Sequence, residues 1–136
     1  MEVSNYISNT LVHECNMAIL KFGDDGILYF ESKPVDRNIE NAKELTCLLT
    51  KILEGHRAYV LVDATYSKAM TKEARDYLFK KLPDYYKAVA VSSRTVLGAF
   101  VANIFIKINP PGYPIKIFTS QLDAKRWLMQ QMKLVA

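Results

Sequence analysis

Apolar and polar positions along the chain follow two periods, and the clearest element is Ala58–Asp63, AYVLVD. This run of aliphatic and β-branched residues alternates too little for a half-exposed strand, so it predicts a central strand covered on both faces. A polar turn over Ala64–Met70 follows, and Thr71 is placed to cap a helix in which Ala74, Tyr77, Leu78 and Leu82 share one face. Upstream, Thr10–Phe22 predicts a single strand of imperfect alternation. Gly23–Gly26 makes a turn, and Ile27–Glu31 supplies the returning strand of a hairpin. Ser32–Arg37, containing Pro34, leads into a helix that Asn38 can cap. There Ile39, Ala42, Leu45, Leu49 and Ile52 recur at spacings of three and four until Gly55 ends the pattern.

Downstream of the Thr71 helix, Pro83-Asp84 is a stop signal, and Lys87–Ser92 predicts another strand. Ser93 is the expected cap of the next helix. That helix, Val96–Ile108, carries apolar residues on nearly every side and ends at Asn109-Pro110-Pro111-Gly112. Ile115–Phe118 predicts a last short strand. Ser120 then caps a helix with Asp123 in the place of a capping-box acid, and Leu122, Trp127, Leu128 and Met132 are expected to face the sheet. The expected class is α/β: a mixed, mostly parallel open sheet opened by a β-hairpin, in the order β-β-α-β-α-β-α-β-α. A chain of 136 residues is expected to form one domain over residues 1–136.

Charge changes this picture only in its distribution. The net charge is +4, with six Lys/Arg against nine Asp/Glu in residues 1–57 and twelve against five in residues 58–136. A basic carboxyl half favours anionic partners or surfaces, although no more than two basic residues are adjacent. It lacks both the aromatic–basic interleaving of a single-strand platform and a helix-turn-helix pattern, so nucleic acid is not an expected partner. Cys15 and Cys47 are the only cysteines and are expected as buried thiols rather than a disulfide or metal pair. The start, MEVSNYISNT, lacks the features of a signal peptide, and Val96–Ile108 is too short and interrupted to span a bilayer; a cytoplasmic location is expected.

Catalytic signatures are missing. No glycine pattern for phosphate binding and no GxSxG elbow occurs, and His13 and His56 are the only histidines. No catalytic residue, metal site or cofactor is expected. The polar residues that gather beyond the central strand are the candidates for partner contact or phospho-regulation: Asp63, Thr65, Ser67 and Thr71, with Arg94 just past the next strand. Asp63 also suits hydrogen bonding to its own turn, and a hydroxyl at a helix start, as at Thr71, suits both capping and phosphate. In the apolar helix, Phe100, Ile104 and Phe105 are candidates either for the wall of a cavity taking an apolar ligand or for the face of a homodimer.

The element order, together with VLVDAT, KAVAVSSRTVLGAF and YPIKIFTSQLDAKRWL, resembles the SpoIIAA-like branch of the STAS/SEC14-related domains, over roughly residues 10–130. The resemblance is strongest to small bacterial members of uncharacterised role, and it implies the fold just described. In the regulatory members a phosphorylatable serine lies in an Asp-Ser-Ser-Gly sequence after the central strand. The matching place here is Met70-Thr71-Lys72-Glu73, which keeps a hydroxyl but neither the acid nor the glycine. What the resemblance implies is a non-catalytic regulatory or protein-interaction domain working through the 63–71 turn and the adjacent helix. The SEC14 side implies the alternative, a small binding module for an apolar or amphiphilic, lipid-like ligand.

Overall fold

A computed structural model describes residues 11–134, apart from the side chains of Leu97, Phe100, Val101 and Phe105. Six strands form one sheet in sequential order: β1 Val12–Cys15, β2 Ala18–Phe22, β3 Ile27–Ser32, β4 Ala58–Asp63, β5 Tyr86–Ser92 and β6 Ile115–Phe118. The first three run antiparallel to one another, and β3 to β6 are parallel. Helices α1 Ile39–Leu53, α2 Lys72–Lys81, α3 Val96–Ile108 and α4 Gln121–Leu134 occupy the crossovers and the carboxyl end. The mixed, mostly parallel α/β sheet is as the sequence predicts, with β4 at the expected residues.

The opening differs in one respect. The expected strand at 10–22 is two strands, because Asn16 and Met17 form a tight turn that pairs Cys15 with Ala18. Thr10 lies outside the described residues. The turn is held from α1: the Asn16 amide donates to Glu44 Oε1 at 2.7 Å, and its side-chain amide donates to Asn41 Oδ1 at 3.1 Å. Met17 is buried beneath the helix. A turn anchored by a helix more than twenty residues away leaves little trace in local hydrophobic spacing.

Alternation along β4 distributes its side chains to two cores. Val60 joins Leu20, Leu28 and Val89 on the face covered by Ala42, Leu45 and Leu49 of α1 and by Ala74 and Leu78 of α2. Leu61 joins Ile27, Ala88 and Ala90 on the opposite face, under Ala124 and Leu128 of α4. Capping explains where the helices begin. Asn38 Oδ1 accepts from the Asn41 amide at 2.9 Å, Thr71 Oγ1 from Ala74 at 3.2 Å, and Ser120 Oγ from Asp123 at 3.2 Å. The cap of α3 is Thr95, whose hydroxyl accepts from Gly98 at 3.0 Å, rather than Ser93. Ser93 instead donates its backbone N–H to Phe118 at 2.7 Å and so extends the sheet. Leu122 is 58 % exposed rather than facing the sheet, while Leu128 is buried. Of the cysteines, Cys15 is buried and Cys47 lies exposed on α1; both are free.

Candidate ligand-binding groove

The parallel half of the sheet is wider than the helices that cover it. α2 packs beside α1, and α3 lies along the outer edge against β6. Between α2 and α3 the sheet forms the floor of a cavity of about 620 Å³. That is within the roughly 300–1,000 Å³ typical of small-molecule sites. The floor is apolar and β-branched: Val62 of β4, Val91 of β5, and Ile115 and Ile117 at alternate positions of β6. Leu78 and Phe79 of α2 form one wall, and Ile106 of α3 belongs to the other. Phe79 is 52 % exposed, an unusual position for so large an apolar ring.

Two tyrosines close part of the floor. Tyr86 and Tyr113 meet edge to face, with ring centroids 5.7 Å apart. Burial pushes the Tyr113 phenol up to about 12 and raises that of Tyr86 as well, so both stay neutral at physiological pH. The floor therefore carries no charge.

Charge appears at the mouth. The short segment before α1 pairs with the turn after β4 through a parallel bridge between Arg37 and Met70, and the Thr71 amide donates to the Arg37 carbonyl at 3.1 Å. Arg37 is thereby placed at the cavity beside Ser67 and Met70. Its side chain is half-buried, and Nη1 donates to the Lys68 carbonyl at 3.2 Å. Burial lowers the guanidinium from its ordinary value, yet arginine remains charged in proteins. Asp36 next to it is taken by Lys68 at 3.6 Å. On α2, Asp76 is paired with Lys72 at 2.7 Å, whose ammonium holds the carboxyl below its usual range. Arg75 stands beside that pair at the rim.

The polar residues expected to act together beyond β4 are divided between two faces. Asp63 points to the α4 side. It accepts from the Thr65 amide and hydroxyl at 3.0 and 2.5 Å, and its other oxygen accepts from Gln121 of α4 at 3.0 Å. Ser67 lines the groove on the opposite side. Thr71 is exposed and caps α2, and Arg94 is exposed beyond β5. Replacing Thr71 by alanine is expected to cost about 1 kcal/mol through the lost cap. Thr71→Ser should restore most of that in thermal melts, since the hydroxyl alone makes the bond.

Of the apolar candidates on α3, Ile104 is 44 % exposed, while the side chains of Phe100 and Phe105 lie outside the described residues. The polar residue that interrupts this helix holds it in place. Asn103 Nδ2 donates to the Ile117 carbonyl and Oδ1 accepts from the Ile117 amide, both at 2.9 Å. This two-point bond covers the edge of β6, which otherwise presents unpaired backbone groups. Neither Asn103 nor Arg37 stood out in the sequence. An asparagine inside an otherwise apolar helix was the available signal for the first; a lone arginine in a proline-containing connection gave none for the second.

Among the described residues no group of three or more His, Cys, Asp or Glu side chains is arranged to hold a metal ion. Nor is any described helix long and apolar enough to cross a membrane. A six-stranded mixed sheet with helices over both faces, opened by antiparallel strands, is the architecture of the SpoIIAA-like α/β fold. The chain is similar in fold to an uncharacterised protein from Shewanella loihica PV-4, of the DUF3478 family with a SpoIIAA-like fold. The TM-score is 0.59 and the identity 20%, over 88% of this chain and 91% of that one. By sequence, the chain belongs to the family described as a domain of unknown function (DUF7793), whose model matches residues 21–132. A protein of unknown function from Arthrobacter sp. FB24 is 27% identical over 82% of this chain and 92% of its own, with a TM-score of 0.29. No curated protein matches.

Proposed function

We propose that this chain is a non-catalytic binding domain whose groove between α2 and α3 takes the apolar part of a small amphiphilic ligand. The observation that carries the reading is the cavity of about 620 Å³, whose sheet floor is apolar and uncharged. Lining of this kind with a few polar groups at one end is the usual make-up of a small-molecule site. Burying a ligand's methylene groups there supplies about 0.8 kcal/mol for each, without any reacting side chain.

A second reading has its own support. Tyr66 in the turn after β4 is 60 % exposed and Phe79 on α2 is 52 % exposed. Two large rings presented to solvent near the groove suit the centre of a protein-protein contact, where aromatic residues are enriched. On this reading the domain regulates a partner through residues 63–71 and α2. We place it second because it leaves the cavity unexplained.

Native mass spectrometry after gentle purification separates the two. A ligand-binding domain is expected to show a discrete mass excess of small-molecule size that disappears on denaturation. A bare monomer that takes up no added amphiphile would remove the first reading, and recovery of a stoichiometric protein complex instead would favour the second.

A further inference from the structure

The groove's mouth also says something about its ligand, provided that the groove reading holds. Arg37 is held half-buried by the bridge to Met70, and the one described acceptor of its side chain is the neutral Lys68 carbonyl at 3.2 Å. A guanidinium has five N–H donors in a planar fork, so most of that capacity has no described partner, in a residue that lines the cavity. The carboxylates nearby are committed elsewhere: Asp36 to Lys68 and Asp76 to Lys72. Arg75 adds a second positive charge at the same rim. Asp76 lines the cavity as well, so Arg37 and Arg75 against that one carboxylate leave the mouth with a net positive charge, while the floor is neutral and apolar. A partly desolvated guanidinium strongly favours an anion in that position, because its fork matches carboxylate and phosphate oxygens.

We propose that Arg37 seats the anionic head of the ligand, which makes the groove a site for a single-chain amphiphile with an oxyanion head. The head, a carboxylate or a phosphate monoester, lies against Arg37 and Ser67, and the chain runs over Val62, Val91 and Ile117.

Three probes of equal chain length test this by titration calorimetry on the whole chain: dodecanoate, dodecyl phosphate and dodecanol. At least one anionic probe is expected to bind ten or more times tighter than dodecanol, the factor one charge-assisted hydrogen bond supplies at about 1.5 kcal/mol or more. The tighter of the two anions then identifies the head. Arg37→Gln is expected to erase the preference, lowering the affinity of the favoured anion far more than that of dodecanol, and Arg37→Lys to retain part of it. Equal affinity of all three probes for the unaltered protein overturns the role of Arg37 and leaves the groove reading standing. The same holds for an anion preference that survives Arg37→Gln. Should the glutamine variant fail to fold, Arg37→Lys carries the same test: it keeps the charge and loses the fork, and an undiminished anion preference there overturns the role of Arg37. Failure of all three probes to bind, including the case of a dimer that excludes them, overturns the groove reading itself and this inference with it.

Discussion

Leu128→Ala is expected to be among the most damaging single substitutions, lowering stability by about 2–5 kcal/mol. Leu128 is fully buried and sits with Ala124 on Ile27, Leu61, Ala88 and Ala90. Among the described residues that face of the parallel strands is covered by α4 alone, whereas the other face is shared between helices. Three of the five other buried residues of the cluster, Ala88, Ala90 and Ala124, are alanines, which cannot extend to fill the space that leucine leaves. The side chain therefore leaves a cavity as well as losing its burial. Chemical denaturation should show the midpoint moved down with an unchanged slope. A shift below about 1 kcal/mol would mean that Trp127 and Met132 collapse into the gap, against the packing described for α4.

The second large effect is on binding. Val91→Trp is expected to reduce uptake of dodecanol about a hundredfold or more, equivalent to about 2.7 kcal/mol. Val91 lies on the groove floor between Val62 and Ile117, and its side chain projects into the cavity. An indole there occupies space that a ligand's chain requires. Stability should change less than for a residue in a filled core, where overpacking costs about 1–3 kcal/mol, because the groove gives the ring room. Melting temperature and dodecanol titration on the same sample check both halves of the expectation. Undiminished uptake in a folded Val91→Trp protein would place the binding site elsewhere.

Much of the fold was legible because each helix and strand carries its own periodicity. β4, α3 and β6 occur at the expected residues, and the caps Asn38, Thr71 and Ser120 accept the expected bonds. The errors share a physical origin. The split of residues 12–22 into β1 and β2 depends on Asn41 and Glu44 of α1. Ser93 continues the sheet through its backbone bond to Phe118, and α3 starts only at Val96, which gives the cap to Thr95. In both cases a partner distant in sequence outbids the local preference. The candidate site was less legible for the same reason. The carboxyl end of β4 was identifiable as a polar cluster, but the pleat sends Asp63 to the α4 side while Ser67 faces the groove.

What the amino-acid sequence determined by itself was the central strand, AYVLVD, with its two buried faces, and the alternation of strands and helices around it. Those follow from nearest-neighbour spacing, since the pleat and the helical turn repeat within a few residues. The tertiary structure decided where the covering helices stop. Asn103 binds α3 to the edge of β6, α2 packs beside α1, and the floor between them is left open. It also decided that Arg37, in a connection without periodicity, stands at the mouth, because the bridge to Met70 joins segments thirty-three residues apart. Spacing along a chain specifies which face of an element is apolar; only the packing of distant elements specifies which part of that face remains uncovered.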